Sequence, residues 1–151
     1  MGLLSMASNA SAWRGYEYYL HKNVISYKKT DEGKYEAQVR GSNEETYSVF
    51  IDVEHPRKSK CNCPYAFGTR IICKHMIALY FEAFPSEAKQ YIEEVEEYER
   101  EEEQRQQELD ENIEKYIDSL SKKELKQALM EMLYDSPEWV FDRFVRYRVE
   151  E

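Results

Sequence analysis

The stretch CNCPYAFGTRIICKH, from Cys61 to His75, contains all three cysteines of the chain and one of its three histidines. The four residues form two close pairs, Cys61-x-Cys63 and Cys73-x-His75, with nine residues between the pairs. Thiolate sulfur and imidazole nitrogen are the ligands that zinc prefers, and four of them complete a tetrahedron with no open position for water. The spacing therefore predicts one structural zinc ion per chain, bound by Cys61, Cys63, Cys73 and His75.

Other interpretations of the cysteines are that they are ordinary small core residues or redox-active thiols. Three cysteines cannot all pair with one another, which argues against a secreted domain held together by disulfides. No apolar run approaches the roughly 18 residues that a membrane span requires. We expect a soluble, cytoplasmic protein that does not enter a membrane.

The charge is distributed unevenly along the 151 residues, whose net charge is −9. Residues 1–85 carry eleven basic and nine acidic residues, whereas residues 86–151 carry ten basic and twenty-one acidic residues. This change of character predicts a zinc-binding module at 1–85, a long acidic helix or linker at 86–120 and a helical hairpin at 121–151.

The first 85 residues combine helical and strand patterns. Aromatic residues recur at helical spacing from Trp13 onward, and three runs rich in β-branched and aromatic residues follow: VISYKKT, KYEAQVRG and TYSVFIDV. In the second run Ala37 and Val39 alternate with polar residues, which is typical of a sheet with one buried face. We expect an α+β fold: a small antiparallel β-meander, a fourth short strand through KSKCNC and a zinc-pinned helix over 73–84, followed by an all-α acidic C-terminal region.

These residues resemble the SWIM zinc finger family. The resemblance rests on the CxC…CxH order with proline after the second cysteine, on the upstream segments WRGYEYYLHKNVISY, QVRG and YSVFIDV, and on MIALYF downstream. The resemblance covers roughly residues 11–85, and this segment is similar to small bacterial members of the family. It implies a β-hairpin and a helix around one zinc ion, and a role in binding DNA or protein. The ATPase domains of larger members are not expected here, because the chain has no GxxxxGK[ST] phosphate loop.

The zinc segment is basic. Residues 56–75 contain no acidic residue, and a zinc ion with three thiolates would leave their net charge near +4. Basic side chains interleaved with aromatic rings are typical of nucleic-acid surfaces, although they also keep a small module soluble. The candidate contact residues for nucleic acid or a protein partner are Arg57, Lys58, Lys60, Tyr65, Phe67, Arg70 and Lys74.

The C-terminal third reads as helical. Within residues 86–120, the segment EREEEQRQQE has no apolar residue, so we expect the helix there to be solvated or to fray into a charged linker. Ser121 and Glu124 form a capping-box pattern, and Ser136 with Pro137 predicts a second helix start, with serine as cap and proline at the first helical position. The apolar stripes of these two helices need a surface to pack against. The long helix, the zinc module and a second chain are the three candidates.

Two functions fit these patterns, and neither is enzymatic, because no set of residues suggests a catalytic centre. The first is a zinc-stabilised adaptor that acts through protein–protein contacts. The alternative is a nucleic-acid-binding accessory protein that uses the basic loop 56–75. The sequence leaves the oligomeric state open.

Overall fold

The computed structural model describes residues 2–150 and has an α+β fold. It divides into two compact units, residues 1–96 and 97–151. A short 3₁₀ turn occupies Pro56–Lys58. The other elements are, in chain order, α1 (Leu3–Met6), α2 (Asn9–Leu20), β1 (Val24–Asp31), β2 (Lys34–Arg40), β3 (Thr46–Asp52), β4 (Lys60–Cys61), α3 (Lys74–Ala83), α4 (Pro85–Ser119), α5 (Lys122–Asp135) and α6 (Glu138–Arg148).

The four strands form one antiparallel sheet in the order β1-β2-β3-β4, as the sequence predicts. Because side chains alternate along a strand, Ala37 and Val39 of β2 and Val49 and Ile51 of β3 lie on one face and are buried. The other face is mostly polar, with Phe50 of β3 among its residues. Gly33 makes the tight turn between β1 and β2 with a φ of 65°, a conformation that glycine adopts without steric cost.

Helix α3 is the centre of the hydrophobic core. It is apolar on nearly every side, and Met76, Ile77, Leu79 and Phe81 are all buried between the sheet and neighbouring helices. The side chain of Leu3 in α1 is also fully buried in this core. The sequence patterns did not identify α1, because a four-residue helix shows no measurable periodicity.

Helix α2 lies directly against α3, and an aromatic cluster closes the end of this contact. The rings of Tyr16 and Phe81 meet edge to face with centroids 5.9 Å apart, and Tyr91 from the start of α4 lies 5.4 Å from Phe81. Residues Ala88 and Tyr91 therefore belong to the N-terminal packing unit, although the sequence placed a domain boundary at residue 85.

Helix α4 continues without interruption through residues 99–108, where the sequence left open a frayed linker. These residues are all exposed, so this part of α4 is a solvated helix. The segment contains no glycine or proline, and pairs such as Arg105 with Glu102 and Gln106 with Asp110 connect successive turns.

The start of α5 agrees with the sequence, but the start of α6 does not. Ser121 and Glu124 form the capping box: Ser121 Oγ accepts from the Glu124 backbone N–H, and the Glu124 carboxylate accepts from the Ser121 N–H. The predicted cap at Ser136 is wrong, because its hydroxyl donates back to the carbonyl of Leu133 in α5. Pro137 occupies the N-cap position of α6 instead of the first helical position. Among the described residues, no helix is long and apolar enough to cross a membrane.

Candidate metal centre and adjacent groove

The first ligand pair is held by the edge of the sheet. Strand β4 pairs with β3, with Cys61 opposite Val49 and Lys60 opposite Phe50, and Cys63 follows two residues later. The backbone N–H of Cys63 donates to Cys61 Sγ over 3.5 Å, so the chain turns back on the sulfur. This turn brings both thiols to the same buried point beneath the sheet.

The segment that delivers β4 is fixed by a buried carboxylate. Asp52 accepts a hydrogen bond from the backbone N–H of His55 over 2.8 Å, and the Asp52 N–H donates to Ser59 Oγ over 3.0 Å. Burial disfavours ionisation of Asp52, but the His55 backbone N–H and the nearby His55 ring outweigh it, so the pKa of Asp52 is lowered. The ionised side chain thereby anchors the turn between β3 and β4. His55 itself is exposed.

The second ligand pair comes from the start of α3. Cys73 is the N-cap residue, with an extended backbone, and its carbonyl accepts from the N–H of Ile77 over 3.2 Å. His75 is the second residue of the helix and is buried. Between the pairs, Gly68 has a φ of 72°, a conformation that glycine adopts without steric cost, and it lets the connecting loop turn.

The four candidate ligand atoms converge. The sulfurs of Cys61, Cys63 and Cys73 and a ring nitrogen of His75 all lie within 4.8 Å of one another, and all four residues are buried. His75 Nδ1 is 3.8 Å from both Cys61 Sγ and Cys73 Sγ. A tetrahedral zinc with ordinary bond lengths separates its ligand atoms by about 3.6–3.8 Å. The donor types and their spacing thus fit one structural zinc ion.

Unbound thiols could not all ionise at this point. A hydrogen bond between the sulfurs of Cys61 and Cys73 raises the pKa of Cys61 and lowers that of Cys73. Burial raises the pKa of Cys63. Three thiolates in a buried site repel one another unless a cation lies between them. When bound, zinc supplies that charge and a cross-link between β4 and α3; the full protein ligand set gives it no open position for substrate.

Aromatic rings enclose the histidine of this cluster. The ring of Tyr47 lies 4.7 Å from that of His75, and the ring of Tyr18 meets it edge-on at 5.4 Å. The ammonium of Lys74 lies over the Tyr18 ring, 4.4 Å from its centroid. The two tyrosines were not identified as site residues from the sequence, because β3 and α2 are distant from Cys61–His75 along the chain.

A groove of about 1070 Å³ lies on the solvent side of the sheet. One cross-strand row on its floor consists of Lys28, Glu36, Phe50 and Lys60, one residue from each strand in register. Part of its wall is the loop Ala66–Arg70, which connects the two ligand pairs. The zinc cluster and the groove therefore share one structural segment.

The structure separates the predicted contact residues into two sets. Arg57, Lys60, Phe67 and Arg70 line the groove. Tyr65 and Lys74 instead line a smaller cavity of about 320 Å³ beside the metal cluster, together with Arg14. Lys58 lines neither. Sequence reasoning missed Lys28 and Phe50 on the groove floor, although the strand alternation places both on the polar face.

Comparison with known proteins agrees with the geometry. Residues 47–83 match the SWIM zinc finger family, a range that includes β3, β4, all four candidate ligands and α3. Residues 47–83 are thus similar to a SWIM zinc finger, and the resemblance seen in the sequence is confirmed for this segment. No curated protein and no solved structure matches the chain.

Proposed function

We propose that this protein is a zinc-stabilised accessory protein that binds single-stranded nucleic acid in the groove on the outer face of its sheet. The observation that carries the proposal is the meeting of basic and aromatic side chains along one open groove. The zinc ion would act indirectly, since it fixes both ends of the loop that forms the groove wall.

The charges of the groove suit phosphate groups. Arg57, Lys60 and Arg70 form no ion pair among the described residues, so their charges are available to a ligand. The acidic residue of the groove, Glu36, is paired with Lys28 over 3.3 Å. A nucleic-acid backbone binds basic side chains of this kind favourably, because its phosphates release counterions when the side chains neutralise them.

The aromatic residues of the groove suit bases. Phe67 on the wall leaves 74% of its surface exposed, and Phe50 lies half-buried on the floor. A phenylalanine this exposed gains little from burial within its own fold, but stacking on an unpaired base is worth about 1–3 kcal/mol. Paired bases are not accessible to such rings, which favours a single strand over a duplex.

Fluorescence anisotropy with labelled single-stranded DNA and RNA of about 12 nucleotides tests the proposal on the zinc-loaded chain. Lys60→Ala and Arg70→Ala should each weaken binding and reduce the salt dependence by about 0.7 of a log–log unit. Phe67→Ala should weaken binding about 10-fold while leaving the salt dependence unchanged. The matched control is Lys58→Ala, which removes a neighbouring charge that does not line the groove.

The proposal fails if the protein binds neither nucleic acid, or if Lys58→Ala weakens binding as much as Lys60→Ala. In the latter case the attraction would be a diffuse effect of charge. Stronger binding of a duplex than of a single strand would also contradict the stacking of bases on Phe67.

The adaptor function remains the second candidate, supported by the exposed apolar residues of α5 and α6. A pull-down from cell extract, carried out with and without nuclease, distinguishes the two. Partners that are lost after nuclease treatment support nucleic-acid binding, whereas partners that are retained support the adaptor. Under either function we propose a cytoplasmic, non-enzymatic protein, supported by the three free cysteines and by a ligand set that leaves the metal no open position.

A further inference from the structure

Helix α5 exposes most of its apolar side chains, and α6 leaves none of its apolar side chains fully buried. Leu133 is the one buried residue among the described residues of the two helices. Met132 is 72% exposed and Trp139 is 65% exposed, and the rings of Tyr134 and Phe141 touch near the connection with centroids 5.8 Å apart. Helices of 14 and 11 residues that share so small a core are marginal in water. These two helices therefore need a further surface to pack against.

The charges of the helix pair are segregated by their distance from the connection at Ser136–Pro137. The half near the connection, residues 129–142, carries four acidic residues and no basic one. The far halves, residues 122–128 and 143–148, carry six basic residues and one acidic one. The pair thus has an acidic end and a basic end, with apolar side chains between them.

In α5 this arrangement opposes the helix dipole. Negative charge stabilises a helix N-terminus and positive charge its C-terminus. Apart from the capping residue Glu124, the charges near the start of α5 are basic (Lys122, Lys123 and Lys126); Glu131 and Asp135 lie towards its end, and the last turn has no basic residue. The charge pattern is unfavourable for the isolated helix, so a favourable role for it requires another molecule.

We propose that α5 and α6 pair with the same two helices of a second copy of this chain in an antiparallel, two-fold symmetric contact. In such a contact both copies use the same surface, so every contact between two patches occurs twice. The surface must therefore be complementary to itself. The acidic end of one copy then lies against the basic end of the other, and the apolar side chains between the ends are buried. Complementary ends of this kind fix the orientation of the partner.

Sedimentation velocity of the full zinc-loaded chain between about 1 and 100 µM tests the proposal. We expect a concentration-dependent dimer. A basic-end variant, Lys122→Glu with Lys123→Glu and Lys126→Glu, should raise the dissociation constant at least about tenfold. An acidic-end variant, Glu131→Lys with Asp135→Lys and Asp142→Lys, should do the same. Most of these substitutions improve the charge pattern of α5 towards its dipole, so loss of the dimer would not reflect loss of the helix.

Mixing the two variants provides the sharpest result. The basic-end variant has an excess of acidic charge at both ends, and the acidic-end variant has an excess of basic charge at both ends, so each variant repels a second copy of itself. In the mixture, ends of opposite charge face each other, and the two variants should form a heterodimer. As a matched control for the acidic-end variant, Glu99→Lys with Glu101→Lys and Glu103→Lys makes the same change of net charge in the solvated part of α4 and should leave the wild-type affinity unchanged. A monomer throughout the concentration range, no heterodimer in the mixture, or a foreign protein that occupies the apolar face of the monomer would each overturn the proposal.

Discussion

Gly15 shows how one absent methyl group sets the distance between α2 and α3. A Cβ atom at this position would lie 2.5 Å from Cβ and Cγ2 of Ile77 and 2.9 Å from the carbonyl oxygen of Lys74. Real Cβ atoms do not approach other heavy atoms so closely, and neither the backbone of α3 nor the branched carbon of Ile77 can rotate away. Because Lys74 lies between Cys73 and His75, this contact also holds α2 against the ligand-bearing turn of α3.

Gly15→Ala should therefore destabilise the N-terminal unit. Alanine gains about 1 kcal/mol of helix propensity over glycine, but overpacking of a tight contact costs about 1–3 kcal/mol and more when backbone is involved. We expect the second effect to be larger and the melting temperature of the zinc-loaded chain to fall by several degrees. Gly2→Ala is the control, because a Cβ at Gly2 meets nothing within 4 Å. An unchanged or higher melting temperature for Gly15→Ala would show that the helices separate without cost.

At the scale of elements, helix α4 has two different kinds of support. Its first turns pack on the core through Ala88 and Tyr91, whereas residues 99–108 are exposed on every side. Exposed ion pairs between successive turns contribute only a few tenths of a kcal/mol each. The helix is continuous in this segment, yet nothing but local interactions holds it.

Hydrogen exchange should reveal this difference along the chain. Amide protection in residues 99–108 should be far below that of α3, since local opening there exposes no buried surface. The comparison of α4 with α3 in one sample is its own control. Protection of residues 99–108 as strong as that of residues 74–83 would mean that another surface covers this part of α4.

The elements differ in how well the sequence predicts them, for physical reasons. Strands β2 and β3 and the capping box at Ser121 are local patterns, so they could be identified from the residues alone. The zinc ligands could be identified because four soft ligands at this spacing have few other uses. The cap at Ser136 was predicted wrongly, because its hydroxyl has a competing acceptor in α5 that the sequence does not reveal.

The sequence could not predict how the basic and aromatic residues of the zinc segment divide between the two cavities. Phe67 and Arg70 lie on the groove, whereas Tyr65, which precedes them in the loop, and Lys74, the first residue of α3, lie beside the metal cluster. Which way each side chain points depends on the path of the loop from β4 to α3. That path is set by the tertiary contacts at both ends and by the turn at Gly68.

At the scale of the whole molecule, the metal would cross-link the short edge strand β4 to the start of α3, beside the core that α3 shares with the sheet. The N-terminal unit has one four-stranded sheet, and β4, one of its two edge strands, is two residues long. Structural zinc contributes about 10–16 kcal/mol of apparent binding free energy, which is as large as the whole stability of a typical small domain. Loss of zinc should therefore remove the fold of this unit and, with it, the groove wall at Ala66–Arg70.

The most direct test is the thermal unfolding of zinc-loaded and metal-free full-length protein, followed by the fluorescence of Trp13. Trp139→Phe leaves Trp13 in α2 as the single tryptophan, and α2 packs on α3. Metal analysis of the starting sample should give one zinc per chain, and Cys73→Ser should reproduce the effect of the chelator. We predict a cooperative transition for the zinc form and none for the metal-free form, whose Trp13 should already emit as in unfolded protein. Equal melting temperatures for the two forms would contradict the claim that zinc holds this fold together.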